Sequence, residues 1–411
     1  MGSKFQTKLT LILVVLFFLF LPFERLLTME IFGFTLKISF AILMVLVLFF
    51  LSGIHKYRLE IEDKLLLLFS FLSFLSIIWS IDQYRSLTIS TIFLATFLGF
   101  ITLKKLIKKE NFDLIEKIII WSGIWLAVFA LWQYFADLYG LSDLTFLREN
   151  YKKTVFGFPR PQATFLEPLY LANYLFLPFF LSIGRFLKSK NRDVLSVISL
   201  FLVSVAIVLS LSRGAYIGLL LSLILFFVLT VSFYKQYFKK VLFSLLVVVL
   251  AVICAILIIK FSAPRESFDL FVNHAGVADV STGESTLDRF YLMKIAWQQF
   301  LQRPWGIGAG AFGALPEFTE KAVVGDYQTV NNLYLEVLVE EGIVGFLIFI
   351  SFVVLLVKSL SAKIKEKNFS ALIYLVIGVA IFAQATSFSS LYILPIWAYL
   401  ALAWNQTKVK I

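Results

Sequence analysis

Apolar runs of roughly 17–25 residues recur from one end of this sequence to the other, separated by short polar stretches. Each is long enough to cross a bilayer as a helix. Backbone in lipid must satisfy its own hydrogen bonds, so only helices and closed barrels span a membrane. The runs are continuous rather than alternating, which selects helices over barrel strands. The pattern predicts spans over 8–23, 36–53, 64–80, 86–103, 116–136, 166–184, 194–211, 214–233, 241–261, 332–357, 371–386 and 389–405. The expected fold class is an all-α polytopic membrane protein with about twelve spans, the whole chain forming one transmembrane domain over 1–411. The first run is followed by Glu24 and Arg25 and by no small-residue cleavage site, so it reads as a retained helix and not a removed signal peptide.

Basic residues fall in every second loop, and this sets the orientation. The clusters are Lys56, Arg58 and Lys64, then Lys104, Lys105, Lys108 and Lys109, then Arg185, Lys188, Lys190 and Arg192. Lys235, Lys239 and Lys240 follow, then Lys358, Lys363, Lys365 and Lys367, with Lys408 and Lys410 at the end. The positive-inside rule places these loops and both termini in the cytoplasm. The net charge of +11 is thereby explained by membrane orientation and does not point to nucleic acid. Two long segments then lie outside, 137–165 and 262–331, and loops of this length are usually functional. The second is expected to contain a helix from Thr286 to Gln302. Ser285 and Asp288 have capping-box spacing, and Arg303-Pro304 ends the run.

Composition agrees, with 60% hydrophobic and 15% charged residues. Cys254 is the one cysteine and sits in an apolar run, while His55 and His274 are far apart. No disulfide framework, thiolate site or histidine-built metal site is expected, and no cofactor. Gly308-Ala309-Gly310-Ala311-Phe312-Gly313 has dinucleotide-motif spacing but no surrounding βαβ unit. It reads instead as a tight turn that lets backbone approach another helix or a substrate.

Topology sorts the polar residues. Arg160 and Gln162 precede the sixth span, Glu167 begins it, and Asn173 lies about two turns deeper. Arg213 occupies the very short outside turn Leu211–Tyr216, and Arg265 and Arg289 lie in the large loop. Asn331, Asn332, Glu336, Glu340 and Glu341 enter the tenth span from the same side. Segments remote in sequence thus bring arginines, a carboxylate and amides to one membrane face. Arginine keeps its charge and presents a planar fork of donors suited to phosphate oxygens, so an anionic ligand is expected. The competing account of an arginine such as Arg213 is that it snorkels to lipid headgroups. Glu167 could be a general base, a partner of an arginine, or a helix-start carboxylate favoured by the macrodipole.

Three stretches carry a family resemblance. They are Arg160 through Tyr174, the turn Ser212-Arg213-Gly214, and the run from Asp288-Arg289 through Arg303–Gly310 to Asn331–Glu336, closing on Glu341–Gly345. In order and topology they resemble the O-antigen ligase and O-antigen polymerase superfamily of bacterial inner membranes. The resemblance implies a metal-independent, inverting glycosyl transfer of GT-C type at the periplasmic face. The donor would be a glycan on undecaprenyl pyrophosphate, and the acceptor lipid A-core or a growing glycan. Arg213 and Arg289 match positions expected to hold the pyrophosphate, with Arg160, Asn332 and Glu336 as further substrate contacts. The family's His-Asn pair is replaced by Asn331-Asn332, nine residues before Gly342-x-x-Gly345. A neutral amide cannot take a proton as imidazole does, which leaves Asn331 to orient the acceptor and either Glu167 or another group to accept a proton, unless leaving-group activation suffices without a strong base. Polymerase-type joining of repeat units stays open beside ligase-type transfer. A polytopic transporter or flippase is the reading of another class; it expects charges at mid-membrane, whereas here they sit at span ends.

Overall fold

The computed structural model describes residues 2–25, 28–31, 34–53, 57–141, 154–155, 158–190, 193–262, 268, 284–319, 328–389 and 391–408. Arg265, His55, His274, Lys56, Arg192, Lys410 and the side chain of Ser285 lie outside the described residues, as does much of both long loops. Every one of the twelve expected spans is a helix. They are α1 Gly2–Phe20, α2 Ile38–Leu51, α3 Ile61–Ser76, α4 Gln83–Leu106, α5 Phe112–Leu138, α6 Pro168–Lys188, α7 Val194–Leu209, α8 Arg213–Phe233 and α9 Phe238–Ser262. The expected loop helix follows as α10, Glu284–Gln302. The last three are α11 Leu333–Lys365, α12 Phe369–Gln384 and α13 Leu394–Thr407. Among the described residues, seven helices are long and apolar enough to cross a membrane, and shorter apolar stretches occur in α1, α2 and α7. Two small antiparallel ribbons, Thr28–Ile31 with Phe34–Lys37 and Thr154–Val155 with Phe158–Pro159, were not foreshadowed by the hydrophobic pattern.

Local chemistry sets several helix starts. Side-chain oxygens of Asp82, Asp193, Asn332 and Asn368 accept backbone N–H groups in the first turns of α4, α7, α11 and α12. Pro168 opens α6, where its missing N–H costs nothing. The middle of the molecule is built by α6, α12 and α13, whose residues are nearly all buried. By contrast α8 and α9 turn apolar side chains such as Leu220, Ile224, Val249 and Leu250 outward. An outward apolar surface of this extent suits lipid and not water.

The most extensive helix–helix contact runs between α8 and α12. It depends on two glycines one helical turn apart. A Cβ on Gly214 would strike the Ser387 hydroxyl, and one on Gly218 would lie 2.6 Å from the carbonyl oxygen of Ala380. Small residues at this spacing let two helix backbones come close, which is how helices associate where solvent offers no hydrophobic drive.

At the opposite end, the Lys104 ammonium is fully buried among carboxylates. It meets Glu60 at 3.2 Å, Glu62 at 2.8 Å and Asp63 more closely. Lys408, at the end of α13, reaches Glu60 at 2.6 Å and so ties the carboxyl end of the chain to α3. These carboxylates are, among the described residues, the group whose oxygens lie close enough to share a metal ion. Lys104 already supplies the positive charge there.

Two outcomes follow for stability. Gly218→Val forces α8 away from Ala380 and is expected to cost about 1–3 kcal/mol, as overpacking does. Lys104→Met leaves buried acids without their counter-ion and is expected to cost about 3–5 kcal/mol. Thermal unfolding of the purified protein in detergent reads both. A melting temperature unchanged by either substitution contradicts the corresponding contact.

Candidate functional site

The site end of the bundle carries the amino ends of α6, α8 and α11 and the carboxyl end of α12. Arg160 stands just before α6. Its Nε donates to the carbonyl of Ser210 at 2.9 Å and its Nη2 to that of Leu211 at 3.5 Å. Those carbonyls belong to the tight α7–α8 turn, where Leu211 takes a left-handed φ of 51°. Tyr216 braces the same turn by donating its hydroxyl to the Val208 carbonyl at 2.5 Å. The stretch after Arg160 is fixed from α5. Gln133 accepts the N–H groups of Gln162 and Ala163 at 3.2 and 2.7 Å and donates to the Ala163 carbonyl at 3.0 Å. Arg160 is thereby held against the turn from which Arg213 begins α8.

Arg289, on α10, joins them. Burial pushes its guanidinium below the ordinary arginine value, and the neighbouring charges of Arg213 and Arg160 push the same way; Glu167 opposes them. Arg160, Arg213 and Glu167, from two other segments, therefore each bear electrostatically on Arg289. Glu167 is the N-cap residue of α6, yet its carboxylate makes no cap hydrogen bond. Besides its place at the amino end of α6, its charge bears on Arg289. Three like charges beside one carboxylate form a site that favours an anion. The amino ends of α6, α8 and α11 add partial positive charge at the same end.

The amide pair lies at the start of α11. Asn332 caps the helix, its Oδ1 accepting the N–H groups of Tyr334 and Leu335 at 3.1 Å each. Asn331 has a left-handed φ of 55°, a conformation asparagine tolerates better than most residues, and its Oδ1 lies 3.5 Å from the Thr329 hydroxyl. Glu336, one turn on, acts electrostatically on Glu340. The end of α12 links these parts. Tyr334 donates to the Phe382 carbonyl at 2.8 Å, and Gln384 donates to the Leu169 carbonyl at 2.9 Å while accepting from Asn173 at 2.9 Å. Tyr170 meets Phe388 edge-on at 6.0 Å. Arg160, Glu167, Arg213, Arg289, Asn331, Asn332 and Glu336 thus sit at one end of the bundle, with Arg160, Arg213 and Glu167 each bearing electrostatically on Arg289. Gln133 and Gln384 were not singled out. Their signal was present, because each is a buried amide inside an otherwise apolar run.

The glycine-rich stretch proves to be a backbone strap. Gly306, Gly308 and Gly310 have φ of 99°, 106° and 68°. The strap crosses α11 where Gly342, with φ of 72°, breaks that helix. Ile307 and Gly308 donate to the carbonyls of Val339 and Glu340 at 3.0 and 3.1 Å, and Ile343 donates to that of Pro304 at 2.9 Å. Glu340 completes the lock by accepting the N–H groups of Gly310 and Phe312 at 2.8 and 3.2 Å. A Cβ on Gly306 or Gly342 would collide with the facing backbone. The close approach expected of these glycines is therefore to a helix.

At the same end, an apolar groove of about 620 Å³ opens between α5 and α9, lined by Phe135, Leu138, Cys254, Leu257 and Phe261 among others. Behind it, Leu209, Leu211, Ala255 and Ile259 pack into one apolar cluster that reaches the α7–α8 turn.

Residues 198–350 match the family described as O-antigen ligase. The matched stretch runs from α7 past the break in α11 and contains Arg213, Arg289, Asn331, Asn332 and Glu336; Arg160 and Glu167 lie outside it. The match supports the resemblance to the O-antigen ligase and polymerase superfamily, and with it a membrane enzyme that processes lipid-linked glycans. No curated protein matches the chain.

If Glu340 locks the strap, Glu340→Ala releases two buried N–H groups at a cost of about 1–3 kcal/mol each. Hydrogen exchange at residues 306–313 is expected to speed up well before the rest of the bundle responds. Equal protection in the variant contradicts this role.

Proposed function

We propose that this protein transfers a glycan from a polyprenyl pyrophosphate, undecaprenyl pyrophosphate in a bacterial inner membrane, to an acceptor hydroxyl at the periplasmic face. The observation that carries the reading is that Arg160 is hydrogen-bonded to the turn from which Arg213 begins α8, with Arg289 close enough to interact with both and with Glu167. The acceptor oxygen attacks the anomeric carbon from the side opposite the leaving group. A carbon–oxygen bond forms, the bond between the anomeric carbon and the phosphate oxygen breaks, and configuration inverts. Negative charge grows on the departing pyrophosphate. Fixed guanidinium groups stabilise that charge more in the transition state than in the ground state, which accelerates the reaction. In this reading the arginines supply the charge a metal ion supplies elsewhere.

Glu167 is the candidate to take the proton of the acceptor hydroxyl. Asn331 is assigned to orient that hydroxyl, since its amide can donate and accept but cannot hold a proton at neutral pH. Asn332 gives its side-chain oxygen to the cap of α11, so its part in the site is to place Asn331 beside the other groups. Glu336 is assigned to the acceptor's hydroxyl groups. The apolar groove between α5 and α9 offers the polyprenyl chain a path from lipid toward the arginines. The basic end of the bundle faces the cytoplasm under the positive-inside rule, with both termini there. Ligase-type transfer to lipid A-core is the favoured form. The replacement of the family's histidine by Asn331 keeps polymerase-type joining of repeat units as the second.

Purified protein with a polyprenyl-pyrophosphate glycan tests this directly, with lipid A-core or a second donor molecule as acceptor. Arg213→Ala and Arg289→Ala are each expected to lower transfer about 10²–10³-fold, the range for losing one donor to a developing oxyanion. Activity should persist in chelator. The productive acceptor separates ligase from polymerase. Movement of the glycan lipid across liposomes without transfer would overturn the enzyme reading.

A further inference from the structure

A second cavity lies at the basic end, remote from the arginine cluster. It is about 470 Å³ and sits between the end of α6, the first turns of α7 and the start of α9. Lys190, Lys239 and Lys240 line it with Phe186, Val194, Val197, Ile198 and Phe243, and no carboxylate lines it among the described residues. Its origin is geometric. The 16 residues of α7 rise about 24 Å at 1.5 Å each, less than the roughly 30 Å of a hydrocarbon core. Both α6, with 21 residues, and α9, with 25, are longer, so a recess remains beside the shorter helix.

The lining has two chemistries. Val194, Ile198 and Phe243 are 63%, 46% and 44% exposed, an apolar wall suited to hydrocarbon. Above it stand the ammonium groups. Lys240 is anchored, donating to the carbonyls of Leu187 at 3.1 Å and Ser189 at 2.5 Å where α6 ends. Lys190 and Lys239 are exposed. The nearest acid on α7, Asp193, is engaged by Arg185 at 2.9 Å and by the Ser196 hydroxyl at 3.0 Å. Its charge is committed away from the lysines.

We propose that this recess is a binding site for one anionic phospholipid, its phosphate held by Lys190 and Lys239 beside the fixed charge of the anchored Lys240, and an acyl chain laid along Val194, Val197, Ile198 and Phe243. A small inorganic anion would leave the wall uncovered, and an uncharged lipid would leave the lysines unmatched. Basic recesses between helices at the cytoplasmic face favour anionic headgroups for this reason. The site is independent of the transfer chemistry at the other end.

Native mass spectrometry of the full chain, equilibrated with equal phosphatidylglycerol and phosphatidylethanolamine, tests the proposal. Wild type should retain phosphatidylglycerol about tenfold over phosphatidylethanolamine, because the lysines favour a headgroup with net negative charge. Lys190→Gln with Lys239→Gln should bring the ratio near one. Ile198→Gln should weaken retention of the lipid while leaving inorganic phosphate without effect. Both variants change exposed side chains, and unaltered melting in neutral detergent confirms that they fold. A preference that survives the double substitution overturns the proposal, and so does displacement of the lipid by inorganic phosphate.

Discussion

Three guanidinium groups held beside a single carboxylate at the end of an apolar bundle set the terms for this molecule. Like charges brought together at half-buried positions repel, and the partial burial of Arg289 strengthens the penalty. Such an arrangement persists only if rigid surroundings hold it. Each arginine therefore comes from a different support: a segment clamped by Gln133, the first turn of α8, and a helix in the long loop. Under the proposed function, an arriving pyrophosphate would relieve the repulsion, so binding energy would be available where the chemistry needs it.

The supports obey one rule, that buried backbone groups must be paired. Helix α11 breaks at Gly342, and the freed groups on either side of the break find partners in the strap of residues 304–312. The strap needs glycine because its backbone lies directly on the helix. Glu340 spends both carboxylate oxygens on strap N–H groups, which makes it a structural acid although it lies one turn from Glu336. Near the site, Gly214 and Gly218 allow α8 to lie against α12, and this fixes where Arg213 starts. The same α12 ends in Gln384, which ties α6 to the assembly.

Charge is also sorted between the two ends. At one end stand the arginines Arg160, Arg213 and Arg289. At the other, lysines either close internal contacts, as Lys104 and Lys408 do with the acids of α3, or stand over an apolar recess, as Lys190 and Lys239 do. Lysine and arginine divide these tasks as their chemistry suggests. A compact ammonium fits a cage of carboxylates, and a planar fork fits the oxygens of a phosphate.

The sequence by itself determined the number and order of the helices, because a span in lipid must be a continuous apolar run and each run is visible. It also indicated which residues share one end of the bundle, since successive spans alternate in direction and the basic loops recur at every second connection. It marked Arg160, Glu167, Arg213 and Arg289 as one group by that logic. What only the tertiary structure decided was the division of labour among neighbours. Asn331 and Asn332 are identical in type, yet one caps a helix and the other has left-handed backbone. Glu336 and Glu340 are four residues apart, yet the second is locked to a strap. Gln133 and Gln384 became visible as supports only once their partners, distant in sequence, lay beside them. A one-dimensional pattern reports the medium each residue must meet. It cannot report which partner fills a side chain's hydrogen bonds, because that partner is chosen by packing between separate segments, 30 residues apart for Gln133 and Ala163 and 215 for Gln384 and Leu169.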